Sequence, residues 1–299
     1  MKIDSNIPPP NLLQGKDSVA KSTAQGQVSS TQKASTEHAK QVKTKMLQWF
    51  SRAGIAIGQK SAIEQDLHKK VSRHQFVKAQ RKLKNLERIL TLATDFSQEQ
   101  AVQDELDPDW FFSFSEMAEN INSPAMQELW AKIFTVEISV PGSFSLKTLH
   151  TLKNLTHRDA KILKLAVGMA SRRKGEHGLK IIYGYHRKPN ILSVFRLIKN
   201  EQINLAAYGL AYPDLLSLMD LGLIYNSEIE TSELEIQSRF QYRCASESFH
   251  LAPKKRGLSL QYYKFTSIGS ELARLINSTA NKHYIDDLLV LLSGEFELN

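Results

Sequence analysis

This chain of 299 residues has one cysteine, Cys244, so an internal disulfide and a multi-cysteine zinc site are excluded, and a reducing, cytoplasmic setting is expected. No apolar run approaches the ~18 to 20 residues that a membrane span needs. The stretch Met1 to Lys21 has no apolar signal-peptide core, so a soluble protein that stays in the cell is expected. Residues 1–39 contain no aromatic residue, carry Pro8-Pro9-Pro10 and are rich in Ser, Thr, Gln and Lys. Such a segment buries too little apolar area to offset its ordering entropy, and a disordered tail is expected there. Also missing are a Gly-rich phosphate loop, paired His on a helix beside Glu, a Cys pair and a nucleophile elbow, which disfavours most familiar enzymes.

What remains is ordinary for a globular protein: 41% hydrophobic and 23% charged residues, enough for a packed core. The net charge of +8 is segmented. Residues 1–39 carry +1, 40–90 carry +10, 91–141 carry −9, 142–200 carry +11 and 201–299 carry −5. Blocks of opposite sign can pair within the chain or with a second copy, so the basic balance points to nucleic acid less firmly than its size suggests.

From about Glu37 the pattern becomes helical, with Met46, Leu47, Trp49, Phe50 and Ala53 beside Lys40, Lys43, Lys45 and Arg52. A basic, Trp-containing helix from Lys40 to Arg52 suits peripheral contact with an anionic membrane, but docking of its aromatics on the protein's own core is the commoner outcome and the one expected. Ser61 to Ala93 reads as one long helix, because Phe76, Ala79, Leu83, Leu86, Leu90 and Ala93 recur at alternating spacings of three and four. That seam serves either an internal helical hairpin or self-association. His68 and His74, six apart, miss the spacing of helical metal ligands and are expected in solvent.

Asp107-Pro108-Asp109 is a helix start: an N-cap acceptor, proline at N1, and an acid in the first turn, followed by Trp110, Phe111, Phe114, Met117 and Ile121 on one face. Ser123-Pro124 repeats the device for a second helix to about Ser139, with Met126, Leu129, Trp130 and Ile133 as its buried stripe. Ser145 is expected to cap a third helix, and Thr156 with Asp159 forms a capping box opening a fourth. Glu137 falls on an apolar side and is expected to pair with a cation such as Arg158. Beyond Arg172-Arg173-Lys174 come β-like runs at Leu179 to Tyr183 and Ile191 to Leu197. A helix from Tyr212 to Leu221, strand-like Leu223 to Tyr225, a polar excursion, a run from Leu258 to Phe265 and a Thr266-x-x-Gly269 helix through Leu275 and Ile276 then follow. This is the outline of a winged-helix unit whose hairpin would carry Lys254, Lys255 and Arg256 to phosphates.

The run Asp107-Pro108-Asp109-Trp110-Phe111, then Met126 to Ile133, then Glu137-Ile138, then Pro141-Gly142-Ser143-Phe144-Ser145, ending in Leu152-Lys153-Asn154-Leu155, resembles the signature of an uncharacterised bacterial domain-of-unknown-function family. Part of it is similar to that of abortive-infection alpha-type proteins, a resemblance that implies a phage-defence context without a mechanism. It implies no catalytic residue, and Phe134-Thr135-Val136 departs from the small-residue run usual in that family.

Catalytic candidates are weak. Asp109, Asp159 and Lys161 sit on helices rather than on the adjacent strands of a metal-dependent nuclease. Glu116, Glu119, Glu128 and Glu137 lack the Glu-x-x-His partners of a carboxylate metal site, and His150 and His157 fall on different helices. No cofactor and no metal is expected. Residues Arg172 to Lys188 interleave cations with Tyr183 and Tyr185 and, with Lys254, Lys255 and Arg256, are the candidates for nucleic acid. The expected architecture is mainly α: a tail at 1–39, a basic helical region at 40–106, a signature helical domain at 107–171 and a small winged-helix-like α+β domain at 172–299. The expected function is a non-enzymatic binding or adaptor module with a protein partner or a second copy. The alternatives are a DNA-binding regulator and a cryptic enzyme.

Overall fold

A computed structural model describes residues 28–55, 63–97, 105–188 and 199–298. Residues 1–27 of the expected tail and the expected strand Ile191 to Leu197 lie outside the described residues. The chain divides into two compact units, residues 1–79 and 80–299.

In the first unit, helix α1 (Val28–Arg52) begins upstream of the expected start, and the first half of α2 (Ile63–Phe96) follows. Gly54 closes α1 at φ +81°, and the Ala53 carbonyl beside it lies 2.6 Å from His74 Nδ1, so this histidine has a backbone partner. Met46, Trp49 and Phe50 are exposed.

The second unit has one continuous core, from Ile89 to Phe296. Its helices are the end of α2, α3 (Pro108–Ala118), α4 (Pro124–Ser139), α5 (Leu146–Asn154), α6 (His157–Met169), α7 (Tyr212–Asp220), α8 (Ser267–Ala273) and α9 (Lys282–Ser293). Local chemistry explains their starts. Asp107 accepts from the Asp109 amide, Ser145 from that of Thr148 and Thr266 from that of Gly269, and Thr156 with Asp159 forms the full capping box. Ser123 makes no side-chain cap, and Pro124 alone marks that start. Helix α8 ends at Ala273, short of the expected Leu275 and Ile276.

The leucine seam of α2 is only in part its buried face. Phe76, Leu83 and Leu90 are exposed, the last two at 57%, whereas from the same seam Leu86 packs against the core and Ala93 is buried, beside Asn85 and Ile89. Asn85 can occupy that face because its amide donates to the Glu119 carbonyl at 2.9 Å and its oxygen accepts from Gln127 Nε2 at 3.0 Å. A polar residue at the centre of the true stripe made the leucines look like the core side.

Among the described residues, two four-stranded antiparallel sheets correct the mainly α expectation to a mixed α+β fold. One has the order β3 (Lys199–Gln202), β2 (Lys180–Arg187), β7 (Leu258–Lys264), β4 (Ile229–Glu230). The other has β1 (Arg172–Arg173), β5 (Phe240–Cys244), β6 (Glu247–Pro253), β8 (Phe296–Leu298). The polar excursion after Tyr225 therefore contains a hairpin, β5–β6, in which buried Tyr242 and Cys244 flank exposed Arg243. Alternate residues face water, so the stretch reads as polar overall. Ile224 bridges Phe265, and α8 then rides so close to the chain that a Cβ at Gly269 would overlap the Leu223 carbonyl oxygen. Helix α9 is fixed across the first sheet by Tyr284, whose buried hydroxyl donates to the Ile182 carbonyl at 2.6 Å.

Candidate functional site

The signature residues build a buried clamp rather than an open site. Trp110 is buried and its indole N–H donates to the Phe144 carbonyl at 2.7 Å. Glu137, 2% exposed, accepts from the amides of Gly142 at 2.6 Å and Phe144 at 2.8 Å. Its partners are therefore backbone amides in the loop after α4, and the expected pairing with Arg158 is corrected: Arg158 lies 3.6 Å from Asp214. Chain reversal through Pro141 and Gly142, at φ +81°, carries these amides back over the helix end, and the Ser143 hydroxyl donates to the Val140 carbonyl at 2.6 Å. Trp130 is fully buried beneath, 5.2 Å from the Phe114 ring. Asp107, Pro108 and Asp109 serve the start of α3.

The three candidate wing residues divide. Lys254 Nζ donates to the Ser293 carbonyl at 2.8 Å, and Lys255 Nζ lies 3.2 Å from Glu295, which is buried and also faces Arg187 at 3.7 Å. The expected wing hairpin is corrected: these residues link β6 to β7, which belong to different sheets, and both lysines fasten that link to the end of α9, while Arg256 is exposed in the turn before β7. Glu295 was missed in the sequence, where Gly294-Glu295-Phe296-Glu297 holds two acids and nothing local marks which of them is buried.

Arg172, Arg173 and Lys174 do not act together either. Successive residues of a strand point to opposite faces. Arg173 lies with its guanidinium 4.2 Å over the Phe240 ring and 2.8 Å from Glu176, whereas Arg172 and Lys174 are exposed. The Arg173 face opens on a polar cleft of about 740 Å3 between the sheets, lined by Glu176, Lys180, Glu230, Tyr262 and Lys264 among others. Lys180 is buried, pairs with Glu176 and lies 4.7 Å over the Tyr262 ring. Burial pushes the Glu176 carboxyl up, but Lys180 and Arg173 outweigh it and hold it below its ordinary 4.5. Arg173, Glu176 and Lys180 thus answer one another across the sheet seam.

A second cleft of about 350 Å3 is lined by Tyr183, Tyr263 and Glu228. The Tyr263 hydroxyl donates to Glu228 at 2.8 Å, and burial followed by this carboxylate raises both tyrosines well above their usual range. Cys244 is buried, with its thiol pushed up to about 11 by burial. His150 and His157 stand on α5 and α6, and among the described residues no group of three His, Cys, Asp or Glu is placed to hold a metal ion. No described helix is long and apolar enough to cross a membrane.

No curated protein matches the chain and no solved structure does. The sequence model of one family, described as protein of unknown function (DUF2806), matches residues 69–289, which takes in the Glu137 clamp, every strand but β8 and most of α9, and the chain belongs to that family.

Proposed function

We propose that the protein is a non-enzymatic binding module, an adaptor whose first unit holds a nucleic-acid backbone. The distribution of charge carries this reading. Residues 1–79 have 13 Lys and Arg against five Asp and Glu, while residues 80–299 have 26 of each, so the whole net charge of +8 sits in the first unit. Residues 40–55 and 67–79 alone hold eight Lys and Arg and no acid. Trp49, Phe50 and Phe76 are exposed among them, and aromatic faces between cations are what single-stranded nucleic acid stacks on.

The test is fluorescence anisotropy of a labelled single-stranded oligonucleotide over a range of salt. Replacing Lys40, Lys43 and Lys45 with Gln should lower the slope of log K against log salt by about 2, at roughly 0.7 counterions per lost contact. A wild-type protein with no salt-dependent binding would end this reading.

An anionic membrane surface is the second reading, favoured by one observation: Met46, Trp49 and Phe50 are exposed together at helical spacing beside Lys45 and Arg52. Co-sedimentation with phosphatidylserine vesicles, but not with phosphatidylcholine ones, would move the function there. A winged-helix regulator has less support, since Lys254 and Lys255 are engaged with Ser293 and Glu295. The resemblance to abortive-infection alpha-type proteins adds phage defence as the proposed setting, checked by plaque counts on a host with and without the gene.

A further inference from the structure

We propose that Arg172, Arg243 and Arg274 form a binding pocket for a phosphate group in the second unit, a site separate from the cationic first unit. The observation that starts the argument is a like-charge pair. In β1 and β5 the register sets Arg172 directly opposite Arg243, which places both side chains on the same face of the sheet. Such a pair destabilises a sheet unless something of opposite charge lies between them.

Nothing in the described structure does. Among the described residues neither arginine, nor Arg274, has a carboxylate within ion-pair distance, although Arg158, Arg173 and Arg187 all do. This occurs in a unit where acids and bases are equal in number, so acids are not scarce. Arg274, at the end of α8, lines the same cavity of about 200 Å3 as Arg172 and Arg243, over apolar Leu179 and Ile276.

A second feature lies at the cavity wall. Ser270 lines it, and its hydroxyl is buried with no hydrogen-bond partner among the described residues. Buried hydroxyls are nearly always satisfied, and an acceptor bound against that wall would satisfy this one. At the rim Ala245 has φ +50°, as the two-residue turn between β5 and β6 requires.

Three guanidinium groups and one hydroxyl donor suit phosphate oxygens. Arginine presents paired N–H donors that match two oxygens at once, which lysine cannot do. The volume is smaller than the several hundred Å3 that a whole drug-sized ligand occupies. The pocket therefore takes inorganic phosphate, or the terminal phosphate of a larger molecule whose remainder lies outside.

Isothermal titration of the full chain with inorganic phosphate, AMP and adenosine tests the site. Saturable binding of phosphate is expected, weakened at least about tenfold in Arg243→Gln and in Arg274→Gln and by a smaller factor in Ser270→Ala. AMP no tighter than phosphate identifies the free ion as the ligand. AMP tighter than phosphate, with adenosine silent, identifies a terminal phosphate. Without ligand, Arg243→Gln should melt at the same or a higher temperature than wild type, because it relieves the opposed charges; a purely structural arginine would melt lower. The triple Lys40, Lys43 and Lys45 to Gln variant should bind phosphate as wild type does. No saturable binding of phosphate or AMP, or binding lost in that triple variant and kept in Arg243→Gln, would overturn the proposal.

Discussion

Glu137 and Phe144 are joined across a chain reversal: the buried carboxylate accepts the Phe144 amide at 2.8 Å while that residue's carbonyl accepts from Trp110 at 2.7 Å. One loop residue is thus held on both its polar groups, by the helix before it and by α3.

The clamp predicts an asymmetric cost. Glu137→Ala leaves two amides at Gly142 and Phe144 without their charged acceptor and should lower stability by about 2 to 4 kcal/mol. Glu137→Gln keeps one acceptor and should lose roughly half of that. Urea denaturation measures both; equal losses would mean that a neutral acceptor contributes nothing and that the charge carries the whole effect.

Helix α2 offers a second comparison. Ile89 is 2% exposed and Leu83 is 57% exposed, so Ile89→Ala should cost about 2 to 4 kcal/mol and Leu83→Ala no more than about 0.5 kcal/mol. The reverse order would restore the leucine seam as the core face. If the exposed leucines instead join two copies, Leu83→Asp with Leu90→Asp should convert a dimer to a folded monomer by light scattering, and a wild-type monomer at high concentration removes that role.

Cys244 should be inert in the folded chain. Its thiol is buried and pushed up to about 11, so at neutral pH almost none is thiolate. Ellman's reagent should react only after denaturation, and prompt reaction with native protein would contradict the burial.

Glu176 predicts a pH dependence. Its folded value is depressed, so its contribution is full above the ordinary 4.5 and is lost as pH falls through the folded value. The difference in melting temperature between wild type and Glu176→Gln should be constant near neutrality and shrink on acidification. A difference that persists into strong acid would show that the Lys180 and Arg173 pairing is not its source.

Helix starts were legible because their signals are local: Asp107, Ser145, Thr156 and Thr266 each act on an amide two or three residues on. The hairpin β5–β6 was hidden by its own alternation, since one face of Phe240 to Cys244 is in water. The buried face of α2 was hidden by Asn85, which belongs in a core only because Glu119 and Gln127 meet it from other helices. The phosphate pocket was beyond reach for the same reason. Arg172 stood out within a basic run, but Arg243 and Arg274 are isolated in sequence, and only sheet register and the packing of α8 bring them to it.

Helix α8 has seven residues and carries Glu271 only three positions before Arg274. Glu271 accepts from the Ser145 amide at 2.8 Å and from the Thr148 hydroxyl at 2.6 Å, gripping the start of α5 immediately after the Phe144 loop. A rod this short behaves as a strut, so a displacement of α8 on filling the cavity would be passed through Glu271 to Thr148. Occupancy at the arginines would therefore be felt as tension at the opposite end of the strut, and the chemical shift of the Thr148 amide is where a spectroscopist would look for it.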